Sequence, residues 1–135
     1  MKKSFSIILA LFCFGYLHAQ NLEGNWQVTD YKLKKAIKDK DKLAFVMAGA
    51  KAVSFSFIAP DDLFISNPML SKPTYYTWKY VDKKKTIIEA VEVNPTFKDS
   101  PSRWKLKILK SGESTLHLKD LGKGKKGNVW ILSKQ

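Results

Sequence analysis

Cysteine and histidine are nearly absent from this 135-residue chain, which contains one Cys and two His. Such scarcity excludes a disulfide framework and argues against a zinc-type cluster. Acidic residues are also few, because 12 Asp and Glu face 24 Lys and Arg and leave a formal charge of +12. No internal repeat and no Pro- or Gly-rich linker is present, which predicts one small domain. At 44% hydrophobic residues the chain is too apolar to be disordered.

The N-terminus has the layout of a secretory signal peptide. A basic start at residues 1–3 is followed by an apolar stretch at residues 4–16 and a small residue, Ala19, before Gln20. We therefore predict that residues 1–19 are a signal peptide and that residues 20–135 form the domain of a secreted or periplasmic protein. The alternative is an uncleaved N-terminal anchor, for which the apolar run is short.

Cys13 raises the question of lipid modification within this leader. A lipoprotein cleavage site requires a small residue before the cysteine, whereas Phe12 stands there and further apolar residues follow. We predict that the protein is not a lipoprotein and that no transmembrane segment follows cleavage.

Apolar and polar residues alternate with period two along most of the remaining chain, which predicts short β-strands. The clearest case is Trp104, Leu106 and Ile108 between basic neighbours. Eight such segments joined by short turns favour antiparallel pairing, and an up-and-down sheet of this size removes its edges by closing into a barrel. Residues 34–51 break the pattern, and the spacing of their apolar residues predicts a helical segment between the first and second strands.

Short motifs along the strands resemble those of small secreted bacterial lipocalin-like domains. Gly24-Asn25-Trp26 resembles the Gly-x-Trp motif that opens lipocalins and related barrels. A Phe-x-Phe…Asp hairpin follows at residues 55–62, then Thr-Trp-x-Tyr at residues 77–80 and a closing apolar strand at residues 129–134. The resemblance implies an eight-stranded antiparallel up-and-down lipocalin-like β-barrel. It also implies a structural role for Gly24 and Trp26, with a basic residue, Lys134 or Lys126, packed over the tryptophan.

The resemblance further implies an apolar interior that takes a small hydrophobic molecule. Six inward-facing residues are our ligand-binding candidates: Phe55, Phe57, Trp78, Tyr80, Trp104 and Leu106. A barrel of eight strands is either filled by side chains or holds one small ligand. Our first hypothesis is therefore an exported binding protein for a small apolar or amphipathic, anionic molecule held by rim lysines. The alternative is a filled barrel whose basic surface contacts an anionic envelope component or macromolecule.

No set of acid, base and nucleophile converges in the sequence, so we predict a protein that is not an enzyme and that uses no cofactor or metal. His117 alternates opposite Leu116 and Leu118 and should face solvent. Asp61-Asp62 is typical of a turn and is not interpreted as a catalytic acid and base pair. The glycine- and lysine-rich segment at residues 122–127 lacks the spacing of a phosphate-binding loop. An exported protein without a recognition motif is not expected to bind nucleic acid.

Overall fold

A computed structural model describes residues 22–122 and 125–135, and the predicted signal peptide lies outside these described residues. The chain forms one closed barrel of eight strands in sequence order, each antiparallel to its neighbours. The strands are β1 (Gly24–Lys32), β2 (Ser54–Ile58), β3 (Asp62–Ser66), β4 (Thr74–Tyr80), β5 (Ile87–Glu92), β6 (Arg103–Ser111), β7 (Thr115–Asp120) and β8 (Val129–Lys134). β1 pairs with both β2 and β8, which closes the sheet and confirms the predicted fold class.

The alternation of apolar and polar residues along the strands determines which side chains form the core. Along β7, Leu116 and Leu118 are fully buried while His117 is half-buried on the outer face. The same alternation on β2 buries Phe55 and Phe57. Inward side chains from all eight strands therefore meet along the barrel axis, and their burial is the main source of stability.

One helix, α1 (Lys40–Lys51), lies between β1 and β2, as predicted, but it begins later than our expected range of 34–51. Asp39 sets this start, because its carboxylate accepts hydrogen bonds from the backbone N–H groups of Asp41 (2.9 Å) and Lys42 (3.2 Å). Residues 34–39 form a lysine-rich loop instead. Ala50 is buried, and α1 packs mainly against β1.

The up-and-down order gives the barrel two distinct ends. The helix end carries the connections 33–53, 67–73, 93–102 and 121–128. The terminal end carries the start of β1, the end of β8 and the turns 59–61, 81–86 and 112–114. No helix within the described residues is long and apolar enough to cross a membrane.

Candidate functional site

The strand register brings all six predicted ligand-binding residues to the inner face of the barrel. Trp78 and Trp104 both pair with Ala90 of β5, from its two sides. Tyr80 and Leu106 likewise both pair with Ile88, and both β5 residues are fully buried. On β2, Phe55 pairs with Trp26 and Phe57 with Leu63. The six residues differ, however, in their height along the barrel axis.

The middle of the barrel is filled by side chains. Phe55 and Leu106 are both 0% exposed, and Phe55 packs edge-to-face on Trp104 with ring centroids 5.6 Å apart. These two predicted residues therefore belong to the core. Phe57, at 2% exposed, belongs to the core as well, but with Trp78, Tyr80 and Trp104 it lies nearer an end of the barrel, where pockets open to solvent.

The first pocket lies at the terminal end and has a volume of about 290 Å³. We call it the terminal-end pocket. It is lined by Leu22, Glu23, Phe57, Ile58, Ala59, Pro60, Trp78, Tyr80 and Lys85. Three of the six predicted residues, Phe57, Trp78 and Tyr80, are thus brought together in its wall. Its volume is at the lower limit for small-molecule sites, which fits a small ligand.

Aromatic rings form the inner wall of the terminal-end pocket. Trp78 stands edge-to-face to Phe57, with centroids 5.5 Å apart, and edge-to-face to Tyr80, with centroids 5.2 Å apart. The indole nitrogen of Trp78 is buried and has no hydrogen-bond partner within the described residues. A buried N–H without a partner costs about 1–3 kcal/mol. This wall is therefore apolar but contains one unsatisfied donor.

The charges at the pocket rim come from two exposed residues of opposite sign, Lys85 and Glu23. Lys85 belongs to the β4–β5 turn, which Asp82 organises by accepting hydrogen bonds from the backbone N–H groups of Thr86 and Ile87, each at 2.9 Å. The hydrogen bond from the Thr86 hydroxyl, with these backbone bonds, lowers the pKa of Asp82. Burial, then the Asp82 charge, raises the pKa of Tyr80. Tyr80 accordingly stays neutral at ordinary pH.

The Gly-x-Trp motif holds the remaining wall of this pocket. Trp26 is 1% exposed, and its indole N–H donates a 2.8 Å hydrogen bond to the carbonyl oxygen of Leu22. This bond fixes the segment that carries Leu22 and Glu23 into the pocket wall. Of the two lysines expected to pack over Trp26, Lys134 is the one that does so. Trp26 is therefore part of the buried core, and its hydrogen bond to Leu22 positions part of the pocket wall.

A second pocket, with more charged residues in its lining, opens at the helix end and has a volume of about 550 Å³. Its lining residues are Glu89, Ser102, Arg103, Trp104, Lys105, Asp120, Leu121, Gly122 and Lys125. Trp104 is the one predicted ligand-binding residue here. Its indole N–H donates to the Tyr76 hydroxyl at 3.2 Å, and the Lys125 ammonium lies 5.3 Å from its ring centroid. Both the N–H and the ring face of Trp104 are thus already in contact with other groups of the protein.

Sequence reasoning missed Asp120, which is 3% exposed and lines the second pocket. Its carboxylate accepts hydrogen bonds from the backbone N–H of Gly122 (2.8 Å) and from the Trp130 indole (3.5 Å). The period-two alternation of Leu116 and Leu118 continues to Asp120 and could have identified it. These two bonds join the end of β7 to the β7–β8 connection and to β8, which is a structural role.

Gly122 and Lys125 of the glycine- and lysine-rich segment line the second pocket, whereas His117 and Asp61-Asp62 are not among the lining residues of either pocket. His117 is on the outer face of β7, where burial and the nearby charges of Lys110 and Lys32 lower its pKa. Asp61 ends a turn, and Asp62 accepts a hydrogen bond from the Tyr75 hydroxyl. Among the described residues no group of three or more His, Cys, Asp or Glu side chains could hold a metal ion.

The architecture is that of a closed, eight-stranded up-and-down barrel with a filled middle and a small aromatic pocket at one end. No family model matches the chain, and no curated protein or solved structure matches it either.

Proposed function

We propose that this protein is an exported lipocalin-like binding protein that takes a small amphipathic anion in the terminal-end pocket. The observation that carries the proposal is the convergence of Phe57, Trp78 and Tyr80 with the rim ammonium of Lys85 around one opening. An apolar wall with a few polar groups at fixed positions is the usual composition of a small-molecule site.

The apolar part of the ligand would contact the aromatic wall. Contact with this wall would contribute roughly 25 cal/mol for each Å² of apolar area removed from water. Because the middle of the barrel is filled, the tail would stop at Phe57 and Trp78 and would not run along the barrel axis. The pocket therefore favours a single medium-length or compact apolar group over a long lipid chain.

The anionic part of the ligand would lie at the rim, near Lys85. Its attraction to the ammonium is weakened by salt, whereas the apolar contact is not. Glu23 on the same rim repels an anion. Removing the charge of Lys85 and removing that of Glu23 should therefore change the affinity for an anion in opposite directions. The unsatisfied Trp78 N–H adds a donor that a ligand oxygen would satisfy if the indole turned toward the opening.

Calorimetric titration with decanoate and with decanol tests this proposal. We expect decanoate to bind more tightly than decanol at low salt and the difference to shrink at high salt. Lys85→Gln should weaken decanoate binding and leave decanol unchanged, whereas Glu23→Gln should strengthen decanoate binding. Lys83→Gln, in the same turn but outside the pocket lining, is the matched control for net charge.

Equal affinity for decanoate and decanol, or loss of decanoate affinity in Lys83→Gln as large as in Lys85→Gln, would contradict a defined anion position at the rim. Failure of the wild-type protein to bind either compound would instead favour a filled barrel that acts through its surface.

A further inference from the structure

Large apolar side chains are exposed on three connections of the helix end. Phe45 of α1 is 78% exposed, Met69 of the β3–β4 connection 84%, and Phe97 of the β5–β6 connection 75%. These are the most exposed large hydrophobic side chains of the described residues. A single exposed apolar side chain is ordinary on a protein surface, so a contact surface is indicated here only because three of them occur at the same end of the barrel as a concentration of basic residues.

The same connections are strongly basic. Their described residues include ten lysines, all exposed, against three aspartates and no glutamate. The lysines are Lys34, Lys35, Lys38, Lys40, Lys42, Lys51, Lys72, Lys98, Lys125 and Lys126. The terminal end differs, because its described turns and the segment before β1 hold three lysines and four acidic residues. The positive charge of the protein is thus concentrated at one end of the barrel.

We propose that the helix end docks on the surface of an anionic lipid bilayer, with Phe45, Met69 and Phe97 inserted among the lipids and the surrounding lysines in contact with the headgroups. We call these three residues and the ten lysines the docking end. The three apolar residues belong to separate connections, and a fluid bilayer accepts separate side chains without a preformed complementary pocket. Lysines beside inserted apolar residues are the combination that anionic interfaces attract.

This proposal is independent of the terminal-end pocket, which lies at the other end of the barrel. A bilayer on the docking end would leave that pocket facing water. Failure of either proposal therefore leaves the other standing.

Co-sedimentation with vesicles tests the apolar contribution. Vesicles of three parts phosphatidylcholine to one part phosphatidylglycerol are compared with pure phosphatidylcholine, using protein variants that all share the same N-terminus. We expect the wild type to bind the anionic vesicles and Phe45→Ser/Phe97→Ser to reduce partitioning by about tenfold or more. Val81→Ser/Leu109→Ser, which changes two exposed apolar residues outside the docking end, should leave binding unchanged.

A pair of charge variants tests the position of the electrostatic contribution. Lys40→Gln/Lys98→Gln and Lys83→Gln/Lys84→Gln remove the same net charge from opposite ends. Each lysine lost from the docking end should weaken binding by about fivefold. A Phe97→Trp variant adds a direct reading, because its emission should shift to shorter wavelength when vesicles bind.

Four results would overturn the proposal: no binding to the anionic vesicles, equal losses in both charge pairs, full binding by Phe45→Ser/Phe97→Ser, or no emission shift in Phe97→Trp. Full binding by the serine variant would show that the surface recognises charge alone. Its partner could then equally be a soluble polyanion. Self-association that the serine variant abolishes, without vesicle binding, would assign the surface to a second copy of the chain.

Discussion

The ammonium nitrogen of Lys134, at the end of β8, lies over the indole of Trp26 at 5.6 Å from the ring centroid. The two residues pair directly in the β1–β8 register, so the contact joins the first and last strands of the closed barrel. A cation over an indole face contributes about 0.5–1 kcal/mol at exposed sites and more when water is excluded. The contact therefore helps to close the barrel and covers the tryptophan that holds Leu22.

Gly24 is required by this arrangement. Its φ is +129°, and a Cβ atom there would lie 2.7 Å from Cε of Lys134. We expect Gly24→Ala to lower the free energy of unfolding by about 1–3 kcal/mol through backbone strain, with displacement of the lysine in addition. Gly49→Ala is the matched control, because Gly49 lies in α1 with nothing within 4 Å of its Cβ position, and it should stabilise by about 0.5–1 kcal/mol. Denaturant melts measure both, and equal effects would contradict this role of Gly24.

Two tryptophans of the interior differ in hydrogen bonding, and this difference can be measured. Trp26→Phe removes a donor that is bonded to Leu22, whereas Trp78→Phe removes a donor without a partner in the described residues. Both changes delete the same atoms. We expect Trp26→Phe to cost about 1–3 kcal/mol more than Trp78→Phe in denaturant melts. A larger loss for Trp78→Phe would mean that its N–H is satisfied.

The stability of the protein should fall on mild acidification through His117. Its pKa is lowered in the folded state by burial and by Lys110 and Lys32. As the pH falls below about 6.5 the unfolded chain takes up the proton first, so unfolding becomes easier until the folded pKa is passed. Between pH 7.5 and the folded pKa of His117, the free energy of unfolding of the wild type should therefore fall relative to that of His117→Gln.

Lys110→Gln is the control for the electrostatic part of this shift. It should raise the His117 pKa measured by NMR titration and shrink the pH-dependent difference. A His117 pKa at or above 6.5 in the wild type would contradict the expected direction.

Export should leave a chain that begins at Gln20. The Ala19-Gln20 junction after an apolar run is the basis of this prediction. The intact mass of exported protein measures it, with allowance for cyclisation of the new N-terminal glutamine. Retention of residues 1–19, or a lipid on Cys13, would show that the leader is an anchor.

The sequence was sufficient for the barrel because period-two alternation needs only local information. The inner face of a strand can be read from its own sequence, as for Leu116 and Leu118 or for Trp104 and Leu106, without reference to any other strand. The predicted start of α1 was too early, because the lysines before residue 40 give no stop signal and the first turn is marked by the capping geometry of Asp39. Asp120 was missed because a charged residue at a strand end is usually assigned to the turn.

The pocket could be predicted only in part. Phe57, Trp78 and Tyr80 were identifiable as inward-facing, but the filling of the middle by Phe55 and Leu106 depends on the height at which eight strands pair. The approach of Lys85 and Glu23 to one opening depends on turns that no periodicity describes. Ring contacts across strands therefore had to come from the structure.

The most direct test of a ligand site at the terminal end is the indole N–H resonance of Trp78 in a ¹⁵N-correlated NMR spectrum, recorded while decanoate is added. Trp78→Phe assigns the resonance, and Trp104 and Trp130 at the helix end serve as internal references. Our account predicts a saturable shift of the Trp78 resonance, with those of Trp104 and Trp130 unchanged. Shifts confined to Trp104 and Trp130, or a spectrum that decanoate does not alter, would contradict it.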